Sequence, residues 1–287
     1  MGKIKYEIYS GAGNDFVMIN NLNAIFPMDK QKDFTVKICN EQFKNIDGVI
    51  FTDKPLKKGS AIRMNYYNRD GSFGAMCGNG ARCISMFTNK NGIVNEKNFI
   101  LEAVDDLYKA QIIDDLNVKI TFPEPKEIKT EIQIKAEFGE GLKDMNVSYV
   151  NVGSDHIVIF LDDKVNKAAL DNKSIDEIDI NYIGKILRYH NEFQPRGANV
   201  NFVMPVDENE IRVRTYERGV ERETLACGTG IVASGVVSVL LNKANAPVRV
   251  LVQSGEWLTV DFRLQNERIL DLSLTGSTRK ISEGELK

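Results

Sequence analysis

Two cysteines in the sequence are each followed by a glycine, one further residue and a second glycine. Cys77 opens CGNG and Cys227 opens CGTG, and the two cysteines lie 150 positions apart. The pattern predicts a helix just after each cysteine, ending near Lys90 and near Asn242. A thiol at a helix N-terminus meets unsatisfied N–H groups and the positive end of the helix dipole, which lower its pKa. The motif therefore predicts a reactive thiol beside half an anion site, twice.

The sequence around the two cysteines is repeated as well. Residues 67–83 read YNRDGSFGAMCGNGARC, and residues 216–234 read YERGVERETLACGTGIVAS. Each copy has a tyrosine at the end of a predicted strand, a polar loop and then the C-G-x-G motif. A repeat of this length is typical of duplicated domains rather than of a solenoid.

Duplicated domains of this kind predict a specific chemistry if the two halves face each other. Two helix N-termini would then hold one carboxylate, with a thiol on either side of the carbon next to it. One thiolate can remove the α-proton of an amino acid while the opposite thiol delivers a proton to the other face. The N–H groups would stabilise the charge that moves onto the carboxylate. The expected result is inversion at carbon without a cofactor.

The other segments predict two α/β domains that would hold these motifs. A stretch rich in proline and charge at 123–131 marks the boundary, giving a first domain over 1–128 and a second over 129–268, with a last strand near 269–278 packing back onto the first. Helices are predicted over 34–43 and over 174–190, the latter with Ser174 as its N-cap. Strands are predicted at 3–10, 16–20, 48–51, 62–67, 99–103, 107–113, 117–122, 147–152, 157–161, 199–204, 211–216, 248–253, 256–262 and 269–275.

The net charge and the lengths of the apolar runs limit the kinds of partner that the protein is expected to bind. The 287 residues carry a formal net charge of −3, which gives no reason to expect nucleic acid or an anionic membrane as a partner. The longest nearly apolar run, Ile231–Leu241, is shorter than the roughly 20 residues that a membrane helix needs. No secretory signal is visible at the N-terminus, so we expect a cytoplasmic protein.

The sequence gives no support for a metal or an organic cofactor. It has two histidines, His156 and His190, and four cysteines without a CxxC pair, which argues against a multi-histidine or zinc-ribbon site. The GAGNDF segment at 11–16 lacks the third glycine of a dinucleotide fingerprint, and no GK[ST] follows any glycine loop. We read Cys39, Cys83 and His190 as structural residues.

Taken together, the motifs resemble those of the diaminopimelate epimerases, cofactor-independent enzymes of lysine and peptidoglycan-precursor synthesis. The resemblance covers nearly the whole chain and includes GAGNDFVMIN at 11–20, NRDGSFGAMCGNGARC at 68–83, GSDHIVIF at 153–160, GANVNFV at 197–203 and YERGVERETLACGTG at 216–230. It implies two pseudo-symmetric α/β domains, each a mixed barrel-like sheet around a central helix. It also implies an active site in the cleft between them and is compatible with a homodimer.

The resemblance assigns roles by position. Cys77 and Cys227 would be the acid–base pair, tuned by His156 and Glu217. The implied substrate ligands are the backbone N–H groups of Gly78, Asn79, Gly228 and Thr229 and the side chains of Asn14, Asn68, Asn199, Glu217 and Arg218. The implied reaction converts LL-diaminopimelate to meso-diaminopimelate with neither metal nor cofactor.

The sequence departs from the commoner family pattern in three places. Ser154 stands where many members have a substrate-binding asparagine, in GSDH rather than GNPH. Gly48 stands where a glutamine is sometimes found. Eight residues separate Arg218 from Cys227, one more than the commonest spacing.

Three alternatives stay open on the sequence. A two-cysteine racemase could act on another amino acid, although the polar set Asn68, Asn199, Glu217 and Arg218 favours a substrate with a second amino-acid head. A Cys–His hydrolase would use one of the cysteines with His156 and would leave the duplication unexplained. An inert amino-acid-binding protein would bind its ligand without exchanging the α-proton.

Overall fold

The chain forms two compact units of mixed α/β structure, which confirms the predicted fold class. The computed structural model describes residues 4–139 and 141–286. The first unit comprises Met1–Phe122 and Thr275–Lys287, and the second comprises Pro123–Leu274. Each unit is built around one central helix, and that helix begins directly after one of the two C-G-x-G cysteines.

The elements of the first unit are mainly strands. They are β1 (Ile4–Gly11), β2 (Asn14–Asn20), α1 (Met28–Glu41), β3 (Gly48–Asp53), β4 (Ile62–Asn68), α2 (Gly78–Lys90), β5 (Asn98–Ala103), β6 (Asp106–Ile112) and β7 (Asn117–Thr121). The second unit follows with β8 (Glu127–Phe138), β9 (Gly141–Asn151), β10 (Asp155–Phe160), α3 (Lys164–Ala169), α4 (Ile180–Arg188), a 3₁₀ turn at Asn191–Phe193, β11 (Asn199–Asp207), β12 (Glu210–Glu217), β13 (Arg222–Thr224), α5 (Gly228–Leu240), β14 (Val248–Leu251) and β15 (Trp257–Gln265). The unit boundary falls within β16 (Arg268–Ser277), and β17 (Arg279–Leu286) belongs to the first unit.

The two units repeat one strand order. In the first, β1 is antiparallel to β2, β2 parallel to β3, β3 antiparallel to β4, β4 parallel to β5, and β5 antiparallel to β6. In the second, the same sequence of directions joins β9, β10, β11, β12, β14 and β15. The repeat read from the cysteine motifs is therefore a repeat of topology as well.

The central helices are buried on nearly every side, and most of their residues are apolar or small, with the buried Arg82 of α2 as the charged exception. In α5, which reads GTGIVASGVVSVL, eleven residues from Gly228 to Ser238 are buried. The α2 helix is buried from Gly78 to Thr88. A helix that is apolar all round is stable only when other elements cover it. Strands β1 to β4, β6 and β7 pack on α2, and strands β9 to β12, β14 and β15 pack on α5.

Several local predictions need correction. The helix predicted over 174–190 begins only at Ile180, with Asp179 as its N-cap accepting from Tyr182 N. Ser174 instead closes a turn in which its N–H and hydroxyl donate to Glu177 Oε2, so the capping pattern was real but belonged to a turn. The helix predicted at 34–43 begins earlier, at Met28. The sequence predicts no strand at β8, at β13 or at β17, the last of which pairs with β1.

Within the described residues, no helix is both long enough and apolar enough to span a bilayer.

Candidate active site

The two motif cysteines occupy matching positions in their units. Cys77 is the N-cap of α2 with φ −106° and ψ 109°, and Cys227 is the N-cap of α5 with φ −114° and ψ 109°. The Cys77 sulfur accepts a hydrogen bond from Gly80 N at 3.4 Å. Cys77 is half-buried and Cys227 is 8% exposed. The Cys77 sulfur thus accepts from an N–H group of its helix, whereas Cys227 shares the N-cap position, where the dipole of α5 favours a thiolate.

In the first unit, a buried arginine organises the polar groups beside Cys77. Arg82 is fully buried, and its Nη2 donates to Asn79 Oδ1 at 2.9 Å. Asn79 Nδ2 in turn donates to Asn14 Oδ1 at 2.7 Å. Because a guanidinium can only donate, this chain fixes the orientation of both amides. The Nδ2 group of Asn14 therefore points away from Asn79 as a donor suited to a carboxylate.

Asn68, an expected substrate ligand, and Gly48, a departure from the family pattern, lie on the neighbouring strands β4 and β3. Asn68, at the end of β4, accepts from the Tyr66 hydroxyl at 2.7 Å and donates to Ser72 Oγ at 3.0 Å. Gly48 pairs with Asn68 across β3 and β4, and a Cβ built at Gly48 would lie 2.2 Å from Tyr67 O. A glutamine side chain has no room at that position, so the departure at Gly48 is built into the strand pairing.

In the second unit, His156 is held by an amide whose orientation is fixed. Asn201 Nδ2 donates to Ile157 O at 2.9 Å, and Asn201 Oδ1 accepts from the Thr215 hydroxyl at 3.0 Å. A backbone carbonyl accepts only, so Nδ2 is a donor where it faces His156 Nδ1 at 3.2 Å. Nδ1 must then accept, which assigns the ring proton to Nε2 in neutral His156.

The Nε2 side of the ring faces two hydroxyl groups. His156 Nε2 lies 2.8 Å from Ser154 Oγ and 2.9 Å from Thr229 Oγ1, and the two hydroxyls are 3.1 Å apart. Thr229 Oγ1 is in turn 3.6 Å from the Cys227 sulfur. Ser154, at the position of the expected asparagine, therefore bonds to His156 and joins the group at the start of α5.

Burial keeps the imidazole of His156 neutral. The ring is fully buried, and this desolvation, together with the charge of Arg218, lowers the pKa of His156 to about 3, although Asp155 opposes the shift. A neutral ring with a fixed tautomer acts as a hydrogen-bond donor at neutral pH. It is poorly suited to carry a proton itself.

The pKa of His156 predicts a loss of stability in acid. An unfolded histidine binds its proton near pH 6.5, whereas the folded ring does so only near pH 3. Between these values the unfolded chain binds more protons, so stability should fall as the pH falls, by up to about 1.4 kcal/mol per pH unit. Urea unfolding between pH 7.5 and 5 should show a smaller slope for His156→Gln. Equal slopes in the wild type and in His156→Gln would contradict the prediction.

An ion-pair cluster holds Arg218 next to His156. Arg218 Nη1 donates to Asp155 Oδ2 at 2.8 Å, and Arg196 Nη2 donates to Asp155 Oδ1 at 3.0 Å. Burial alone would raise the pKa of Asp155, but the bonds from Arg196, Tyr149 and Arg218 hold it well below its usual range. Asp155 thus remains charged and fixes the guanidinium of Arg218.

Asn199 and Glu217 are tied to the same strands. Asn199 Nδ2 donates to Asp155 O at 2.9 Å, and its Oδ1 accepts from Arg218 N at 2.8 Å. Glu217, the last residue of β12, accepts from the Thr224 hydroxyl at 2.9 Å. These bonds set the backbone of the strand end from which Glu217 and Arg218 project.

Within each unit, the structure brings most of the predicted site residues together. In the first, Asn14 bonds to Asn79 in the first turn of α2, next to Cys77 and Gly78. In the second, His156 contacts Thr229 in the first turn of α5, while Asn199 and Arg218 bond to each other and to Asp155, the neighbour of His156. The sequence reasoning missed Arg82, Asp155, Arg196 and Asn201. Signals existed for two of them: Arg82 is a charge within a run of small and apolar residues, and Asn201 shares a strand face with Asn199 in NVNFV. No group of three His, Cys, Asp or Glu side chains among the described residues is arranged to hold a metal ion.

Comparison with solved structures defines the fold to which these units belong. A Bacillus anthracis phenazine biosynthesis protein of the PhzF family matches with a TM-score of 0.72, 14% identity and 100% coverage of both chains. A probable proline racemase from Agrobacterium radiobacter K84, with bound carbonate, matches with a TM-score of 0.70 and 14% identity, over 99% of this chain and 93% of that one. At such identities the likeness shows the fold alone, and that fold is a mixed α/β one.

Sequence comparison identifies the family. The model of the diaminopimelate epimerase family matches residues 6–125 and 148–280. The diaminopimelate epimerase of Aquifex aeolicus is 37% identical over 287 residues, covering 96% of this chain and 95% of that protein. That of Thermotoga maritima is 35% identical over 278 residues, covering 96% and 99%. The chain therefore belongs to the diaminopimelate epimerase family and is an isomerase, as the motifs predicted.

Proposed function

We propose that this protein converts LL-diaminopimelate to meso-diaminopimelate with Cys77 and Cys227 as its two acid–base groups. The observation that carries the proposal is the pair of thiols at matching N-caps of two buried helices in a member of this family. Relatives named diaminopimelate epimerase support the substrate. The reaction would then serve lysine and peptidoglycan-precursor synthesis.

The chemistry follows from what each helix start offers. One thiolate takes the α-proton and becomes a thiol, and the electron pair of the broken C–H bond moves onto the α-carboxylate. Backbone N–H groups of Gly78, Asn79, Gly228 and Thr229 stabilise the charge on that carboxylate. The second thiol then gives its proton to the opposite face of the carbon and becomes a thiolate. Product release leaves the two thiols with exchanged protonation states, so the reverse reaction starts from the other cysteine.

The polar residues of both units suit a substrate with two amino-acid heads. The oriented amide of Asn14 can donate to a carboxylate, and the guanidinium of Arg218 suits bidentate carboxylate binding. Glu217 offers a carboxylate for an ammonium group. The combination favours diaminopimelate over an amino acid with an apolar side chain. The homodimer and the cytoplasmic location stay predictions.

The test is proton NMR of LL-diaminopimelate in D₂O with the reduced protein. We expect the α-proton signal to disappear as deuterium enters, and the meso isomer to form. No exchange with intact, reduced protein would contradict the substrate assignment, and other amino acids would then be screened in the same way. Exchange with another amino acid alone would make the protein a racemase of that substrate. Hydrolysis that survives loss of one cysteine would instead indicate a Cys–His hydrolase.

A further inference from the structure

We propose that the Thr229 hydroxyl, assisted by Ser154, is a positioning group that donates a hydrogen bond to the Cys227 sulfur and favours its thiolate. The inference rests on the proposed function only in taking Cys227 as an acid–base group. It gives the Thr229 side chain a role separate from that of its backbone N–H. It also gives Ser154 a role, which is to donate a hydrogen bond to Thr229 Oγ1.

The first step is the direction of the hydrogen bonds. Asn201 is fixed as a donor to His156 Nδ1 by its bonds to Ile157 O and Thr215. The ring proton therefore lies on Nε2 and points at the two hydroxyls. Since the ring is buried and neutral, Nε2 cannot accept without a change of tautomer. One end of the network is thus a permanent donor.

The second step is a count of protons. Ser154 Oγ and Thr229 Oγ1 each carry one proton, and each lies within 2.9 Å of His156 Nε2. The proton on Nε2 and the two hydroxyl protons make three. Two of them are used by the bond from Nε2–H to the hydroxyl pair and by the bond between the two hydroxyls, so one hydroxyl proton remains for an acceptor outside the group. Ser154 donates to Thr229 Oγ1 at 3.1 Å, and Thr229 then faces the Cys227 sulfur at 3.6 Å, within range for a bond to sulfur. A bond donated to the charged form lowers the pKa of an acid.

The third step is the electrostatic surroundings. The charged groups that act on His156 are Asp155, at the start of β10, and Arg218, just after β12, and the two pair with each other. Glu217 precedes Arg218 at the end of β12. Neither removal of the Thr229 hydroxyl nor removal of the Ser154 hydroxyl changes any of these charges. The dipole of α5 acts on Cys227 in all such variants as well. A change in the Cys227 pKa would therefore report the hydroxyl bond.

The experiment measures the thiol pKa of Cys227 without substrate. The rate of alkylation by iodoacetamide is followed against pH, and the modified Cys227 peptide is quantified by mass spectrometry. Thr229→Val, which keeps the side-chain shape, should raise the pH midpoint by about one unit, a tenfold loss of thiolate below it. Thr229→Ser should restore the midpoint. Ser154→Ala should raise it by less, because Nε2–H still reaches Thr229 directly.

Ser234→Ala is the matched control. Ser234 is a fully buried hydroxyl of α5 that donates to Gly230 O, and its loss should leave the Cys227 midpoint unchanged. A second readout is the ¹⁵N spectrum of labelled histidine, which should show the Nε2–H tautomer for His156. An unchanged midpoint in Thr229→Val, or an Nδ1–H tautomer, would overturn the proposal. Since no substrate is used, a shifted midpoint in a protein that exchanges no diaminopimelate would refute the function and keep the hydroxyl bond.

Discussion

Cys77→Ala and Cys227→Ala should each lower the rate of epimerisation by about 10²- to 10⁴-fold. The magnitude follows from the usual contribution of a positioned acid or base to proton transfer. Each thiol is proposed to serve a different face of the reacting carbon, so neither can replace the other. The measurement is the appearance of meso-diaminopimelate from the LL isomer by NMR, with both variants at wild-type concentration.

The remaining cysteines provide the controls. Cys39 and Cys83 are buried, and burial raises the pKa of Cys39. We therefore expect Cys39→Ala and Cys83→Ala to retain rates within a few-fold of the wild type. A cysteine variant at 77 or 227 that keeps the wild-type rate would refute the two-thiol mechanism. Equal loss in all four variants would point to damage to the fold rather than to the chemistry.

The parts of the structure that were predicted correctly are those with local signals. The starts of α2 and α5 follow from the C-G-x-G motifs, because N-cap chemistry and the onset of an apolar run lie within a few residues. The repeated motif predicts duplicated domains, and the two units do repeat one strand order. A local signal also explains the error at 174–190, where the predicted helix starts six residues before the observed one. Ser174 and Glu177 form a local capping pattern, and only packing decides that the helix starts at Ile180.

The residues that were missed act through pairings between distant segments. Asn201 reaches His156 because β10 and β11 are parallel, with Val158 opposite Asn201 and His156 opposite Asn199. Asp155 reaches Arg218 across 63 positions of sequence. Register between strands is set by packing of whole sheet faces, which single residues do not reveal. The sequence could therefore identify the groups that do chemistry but only some of those that orient them.

The two units share one strand and helix arrangement but place different polar groups beside the N-cap cysteine. Behind Cys77, a buried cation sets the chain Arg82 to Asn79 to Asn14. Behind Cys227, neutral His156 and two hydroxyls take that place. The duplicated fold thus supplies matching helix starts, while the supporting polar groups have diverged. This difference should be visible in how the two motif glycines tolerate a side chain.

Gly230→Ala should lower the free energy of unfolding by about 2 kcal/mol. A Cβ at Gly230 would lie 2.3 Å from Asn201 Oδ1, which is fixed by its bonds to Thr215, Ile157 and His156. The clash forces either α5 to move or the amide to lose buried hydrogen bonds, each at a cost of about 1–3 kcal/mol. The better helix propensity of alanine offsets less than about 1 kcal/mol of this loss. Urea unfolding measures the change.

Gly80→Ala is the matched variant in the first unit and should cost about 1 kcal/mol or less. There the new Cβ would meet Ile50 Cδ1 at 2.8 Å and Met64 Cε at 3.0 Å, the mobile ends of two flexible side chains. Those ends can move by a few tenths of an ångström, whereas the Asn201 amide cannot without breaking its bonds. Gly230→Ala should also disturb the tautomer of His156, and Gly80→Ala should not. Equal losses of stability in the two variants would show that the Asn201 amide is not rigidly held. The assignment of the His156 ring proton to Nε2, which depends on that amide, would then be unsupported.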